Sequence, residues 1–99
     1  MPTYDNKHLR REILKTLHLM DFAFFRVTIV VDSLRPTGFP DLTESSLMAQ
    51  TKYLEQKGFV ELERKKNILT GEESDLISIT AKGIDLIEGN CTDVGISSG

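Results

Sequence analysis

The chain is short of cysteine, proline, histidine and positive charge, with one Cys, three Pro, two His and 12 basic against 15 acidic residues. Each shortage removes a class of protein. The single Cys91 cannot close an internal disulfide, and no basic start, apolar stretch and small-residue cleavage site precede residue 7, so a cytoplasmic setting is expected. Cys91 lies between Asn90 and Thr92 with no basic neighbour to activate it, which leaves a spectator thiol. His8 and His18 have no second histidine or cysteine at ligand spacing, so no metal is expected. The seven glycines are dispersed and cradle no phosphate, so no nucleotide or other cofactor is expected. The longest apolar-rich run, residues 22–31, is broken by Arg26 and reaches about half of the roughly 20 residues that cross a bilayer, so no membrane partner is expected. No nucleophile stands beside a base, and Glu72, Glu73 and Asp75 fall in an open polar stretch, which argues against an enzyme.

What is present is an ordinary globular composition. Ninety-nine residues, 39% hydrophobic and 27% charged, support one domain with one modest core. Residues 1–6 are expected as a flexible lead, 7–89 as the folded domain and 90–99, without apolar period, as a loose tail. The net charge of −3 weighs mildly against a nucleic-acid partner, although the distribution of charge decides the field and the total does not.

Along the chain, Asp5 or Asn6 can cap a helix over residues 7–22. Its apolar positions Leu9, Ile13, Leu17 and Met20 recur every three or four residues, and Lys7, Arg11, Lys15 and His18 form a basic flank. Residues 22–34 are ambiguous. The run Val27-Thr28-Ile29-Val30-Val31 favours a strand, whereas the spacing Phe24, Val27, Val31, Leu34 suits a helix. A helix is expected, because the other good strands have each other as partners. Arg35-Pro36 ends it, and residues 36–40, with two prolines and Gly38, make a turn. Asp41, with Glu44 three residues on, forms a capping box for a helix over residues 41–57, with Leu47, Thr51 and Leu54 inward and Gly58 as its left-handed terminator. After Gly58 the period becomes two. Val60 and Leu62, then Ile77 and Ile79, mark two strands separated by a mobile polar loop over residues 65–74. Thr80 caps a last short helix carrying Ile84, Leu86 and Ile87, closed by Gly89-Asn90. A two-stranded ribbon cannot bury its apolar face alone, so the expectation is a compact α+β domain with the ribbon against the helices. Phe22, Phe24, Phe25, Phe39 and Tyr53, at helical spacing, read as core in preference to a stacking platform for single strands.

Two stretches carry a family resemblance. Tyr53-Leu54-Glu55-Gln56-Lys57-Gly58-Phe59-Val60-Glu61-Leu62-Glu63-Arg64 resembles the end of the recognition helix and start of the wing in MarR-, ArsR- and PadR-like bacterial winged-helix regulators. Ile79-Thr80-Ala81-Lys82-Gly83-Ile84-Asp85-Leu86-Ile87 is similar to the segment that leaves the wing in those families. The resemblance implies a winged helix-turn-helix: a three-helix bundle, a two-stranded hairpin wing and a short C-terminal helix, in a small bacterial or prophage transcriptional regulator that binds double-stranded DNA as a homodimer. It places the 41–57 helix in the major groove, with Ser45, Ser46, Ala49, Gln50 and Lys52 outward, and the 64–75 wing on the backbone through Arg64, Lys65 and Lys66, with Arg35 as an addition.

The chain departs from the family where a serine and an arginine are usual and Met48 and Ala49 stand instead. Specific readout then falls to Gln50 and the two serines. The segment over residues 36–40 is also inserted before the recognition helix. The three-charge run is equally readable as a solvated hairpin edge that deters strand pairing. A second function therefore stands beside the first: a winged helix that binds protein, with Met48 and Ala49 in the docking face.

Overall fold

The computed structural model describes residues 5–20 and 23–97. The first helix, α1 (Asn6–Leu19), begins where Asp5 accepts the Lys7 N–H at 2.9 Å, and it buries Leu9, Ile13, Leu14 and Leu17. It ends at Leu19 with Met20 as its C-cap, short of the expected end at Phe22, which itself lies outside the described residues, as do residues 1–4 of the lead and the last two of the tail.

Residues 25–34 divide in two. Phe25–Arg26 is a short strand, β1, and only Val27–Leu34 is helical, α2. The all-helix expectation over 22–34 is thus corrected. The later hairpin leaves the outer edge of its second strand open, and Phe25 and Arg26 occupy it, opposite Ile77 and Leu76. The β-branched run is nonetheless helical, because Val27, Val30, Val31 and Leu34 all reach the core from one helical face. Burial of that face outweighs the weak propensity of valine.

A 3-10 turn, Arg35–Thr37, follows. The helix α3 (Glu44–Gln56) has its cap two residues later than the capping box at Asp41 predicts. Thr43 is the cap, accepting the Ser46 N–H at 3.1 Å. Phe39 and Leu42 are instead buried, joined by a turn in which Leu42 N–H donates to Phe39 O at 3.1 Å, so the chain enters the helix after Leu42. Leu47, Thr51 and Leu54 face inward as expected, and Gly58, at φ 84°, ends the helix.

Strands β2 (Val60–Lys66) and β3 (Glu73–Ile79) pair antiparallel from Val60↔Ile79 to Lys66↔Glu73. The sheet order is β1-β3-β2. The ladder runs further than the sequence implies, and the expected loop over 65–74 shrinks to residues 67–72. Lysine and glutamate are weak strand signals individually, but here they extend a register already fixed by Val60, Leu62, Ile77 and Ile79.

The last helix, α4 (Ala81–Ile87), is capped by Thr80, which accepts the Gly83 N–H at 3.2 Å. The same hydroxyl donates to Gly58 O at 2.6 Å, and Lys82 Nζ donates to Lys57 O at 2.8 Å, so the end of α3 is stitched to the start of α4. Gly83 is needed for this approach: a Cβ there would overlap the Phe59 carbonyl oxygen and lie 2.7 Å from Ile79 Cγ1.

Where composition suggests a loose end, residues 91–97 lie against α1 and α3. Ile96 is buried, Ser97 N–H donates to Lys7 O at 3.2 Å, and Arg10 Nη1 donates to Gly95 O at 2.8 Å. One isoleucine among small polar residues has no period from which packing can be read.

Candidate nucleic-acid interface

Helix α3 turns 100° per residue, so with Leu47, Thr51 and Leu54 inward the opposite stripe is Ser45, Ala49, Lys52 and Gln56. All four are exposed. The side chains along this stripe are short or flexible, and no other part of the described chain bonds to them. Gln56 is an outward amide absent from the expected contact residues, because those come from the early outward positions of the helix and Gln56 falls in its last turn.

Two expected contact residues are engaged elsewhere. The amide oxygen of Gln50 accepts Arg10 Nε at 2.8 Å, which turns it towards α1. The Ser46 hydroxyl is 3.0 Å from Thr43 Oγ1 in the helix cap and is half-buried. Met48 also leaves the docking face proposed for a protein partner, since it packs against the core. Glu44 and Glu55 border the outward stripe and outnumber Lys52, so the helix itself is not basic.

The hairpin separates the basic triplet. Arg64 Nε lies 3.4 Å from Glu73 and 3.6 Å from Asp75 across the ladder, which offsets its charge. Lys65 and Lys66 are exposed and have no ion pair among the described residues. Arg35 is structural: its Nε donates to Leu42 O at 3.0 Å and its Nη1 is 3.8 Å from Asp32, which pins the approach to α3. Arg26 is a cation that the sequence reading did not place. It lines a groove of ≈ 190 Å³ between α2, α3 and β3 with Glu44, Met48, Glu73 and Asp75, and it is there because β1 pairs with β3.

The C-terminal segment holds α3 from its far side. The Arg10 guanidinium stacks 3.8 Å above the Tyr53 ring, the Tyr53 hydroxyl is 3.4 Å from Asp93 Oδ1, and Lys57 Nζ is 3.5 Å from Asp93 Oδ2. The Gly95 backbone N–H, at 2.8 Å, holds the Asp93 carboxyl below its ordinary value. Burial opposes that shift, and the Lys57 charge and hydrogen bonds from Lys57 and Tyr53 support it. Helix α3 is thus fixed by α1, α2 and residues 93–97 on its inner flanks, and its outer stripe is left open.

Neither a protein-family model nor a curated protein matches the sequence. Solved structures do match the arrangement of α1 to α4 around the hairpin. A PadR-like transcriptional regulator from Bacillus cereus superposes with a TM-score of 0.65 at 21% identity, over 82% of this chain and 75% of its own. A putative transcriptional regulator from Thermoplasma acidophilum gives 0.69 at 22% identity, over 82% and 72%. The chain has a winged-helix fold. Bacillus subtilis PadR, solved in complex with operator DNA, gives 0.66 at 17% identity, with 82% of this chain against 45% of its longer one. In winged-helix terms β2-β3 is the wing and α3 the helix that precedes it. No described helix is long and apolar enough to cross a membrane.

Proposed function

We propose that this winged-helix chain is a DNA-binding transcriptional regulator, with a binding and not a catalytic role. The observation that carries the reading is the open outward stripe of α3, Ser45, Ala49, Lys52 and Gln56, beside a wing that presents two uncompensated lysines. Small side chains let the helix backbone sit deep in a major groove, where the Gln56 amide and the Ser45 hydroxyl can reach base edges. Lys52, Lys65 and Lys66 supply phosphate contacts. No arginine is available on the stripe to fork onto guanine, so sequence discrimination is modest. The structural likeness to a regulator solved with operator DNA supports this choice of partner.

Two copies on half-sites about 34–36 Å apart would double an interface that is small for one helix, and a homodimer in the cytoplasm of a bacterium, or encoded by a prophage, is the setting proposed. The test is fluorescence anisotropy on duplex DNA between about 50 and 200 mM salt. Binding should weaken steeply with salt. The double variant K65A/K66A should flatten the log–log slope by about 2, roughly one unit for each phosphate that is no longer neutralised. An unchanged slope would remove the wing from the interface. Absence of any salt-dependent binding, with stable co-purification of another protein, would favour the protein-docking alternative.

A further inference from the structure

The end of the wing has a feature that phosphate contact does not use. Ile68 and Leu69 are 96% and 95% exposed, adjacent in sequence, and stand at the far tip of the β2-β3 ribbon. Single exposed aliphatics are ordinary, but two neighbours on a projecting turn are not explained by packing. The turn is built to hold them outward. Asn67 N–H donates to Glu72 O at 2.7 Å and Gly71 N–H to Asn67 O at 2.8 Å, while the Asn67 side-chain oxygen accepts Leu69 N–H at 2.9 Å and Thr70 N–H at 3.4 Å. Glu72 N–H donates to Thr70 Oγ1 at 3.3 Å. The apolar pair is therefore presented on a pre-ordered platform.

We propose that Ile68 and Leu69 form an apolar wedge that enters the DNA minor groove next to the major groove occupied by α3 and partly unstacks a base step. This rests on the DNA-binding reading above. Reach supports it: Ile68 lies six positions beyond Leu62, the last wing residue packed on the core, and the four strand steps to Lys66 span about 13 Å at roughly 3.3 Å each before the turn carries the tip further. Half a helical turn of DNA, the step from a major to the next minor groove, is about 17 Å.

Charge supports it as well. Consecutive strand residues point to opposite faces, so Lys65 and Lys66 offer one cation to each wall of a groove that the ribbon enters edge-on. Arg64 lies 3.4 Å from Glu73 and 3.6 Å from Asp75 and offsets one of their two charges, so the remaining carboxylate and Glu72 oppose phosphate and the attraction rests on Lys65 and Lys66. Area argues against a protein as occupant. Two aliphatic side chains bury on the order of 200 Å², whereas a stable protein interface needs roughly 1,200 Å² or more. A wedge needs no such area, because α3 and the lysines supply the affinity.

The test uses the full chain and an A·T-rich duplex of about 30 base pairs with several TA steps, which unstack most readily, carrying 2-aminopurine in place of adenine at those steps. Wild-type protein should raise 2-aminopurine fluorescence and bend an end-labelled duplex. The I68A/L69A variant should abolish both signals and bind about tenfold more weakly, with an unchanged salt slope, whereas K65A/K66A should change the slope. Both side chains are far from the core, so an unaltered melting temperature verifies that the variant folds. Salt-dependent binding without any fluorescence rise, or with equal affinity in I68A/L69A, would overturn the wedge and leave the DNA reading standing. Failure of wild type to bind any duplex would overturn both. A self-association seen in sedimentation for wild type and absent in I68A/L69A would make the tip a protein contact and overturn the wedge.

Discussion

Replacing Gly83 with alanine tests the seam between α3, the wing and α4. A methyl group at this position meets the Phe59 carbonyl oxygen and Ile79 Cγ1, and the first of these is backbone, so it cannot rotate aside. Phe59 O is also the acceptor for Thr80 N–H at 3.0 Å, and Phe59 N–H donates to Leu54 O at 2.9 Å at the exit of α3. Moving either wall therefore strains hydrogen bonds on both sides of the seam. Alanine gains at most about 1 kcal/mol of helix propensity over glycine, and less in the first turn of α4. Overpacking against backbone costs about 3 kcal/mol. The net loss is about 2 kcal/mol, which for a domain of this size lowers the melting temperature by roughly 8–16 °C. Thermal unfolding followed by circular dichroism measures the shift, and amide exchange should quicken at Phe59 and Thr80 ahead of the helix α1 amides. A G83A variant as stable as wild type, or more so, would refute the claim that this glycine is required by close approach.

Two further outcomes concern the segment that pins α3. Arg10→Ala removes the bonds to Gln50 and Gly95 and the stack on Tyr53, and should cost about 2 kcal/mol in urea unfolding. Arg10→Lys should recover little of this, since an ammonium lacks the planar fork, and full rescue by lysine would show that only charge matters. For Asp93→Asn the effect depends on pH. The wild-type carboxyl titrates below its ordinary value of 3.8 when folded, so its contribution is complete above that value and disappears as pH falls through the folded pKa. The gap in urea midpoint between wild type and D93N should be constant well above the ordinary carboxyl value and should narrow as pH falls below it. A gap that stays the same at every pH would mean that Asp93 acts by packing alone.

Several parts of this protein are fixed by neighbouring residues and were legible in order. The spacing of Leu47, Thr51 and Leu54 orients α3, Gly58 stops it, the alternation at Val60, Leu62, Ile77 and Ile79 sets the wing register, and Asp5 and Thr80 cap their helices. Each of these depends on period or on a bond spanning a few residues, which a linear reading contains. Other parts needed distant chain. Phe25 and Arg26 are a strand only because β3 has an open edge, and Ile96 is buried only because the chain after α4 folds back onto α1. The site divides along the same line. Ser45, Ala49 and Lys52 are outward by helical geometry alone, while Gln50 is claimed by Arg10 forty residues away and Arg64 by two carboxylates across the ladder. Whether a polar side chain is free for a partner depends on which other side chains fold next to it. Sequence determined where α3 faces, and tertiary packing decided which of its groups remain free.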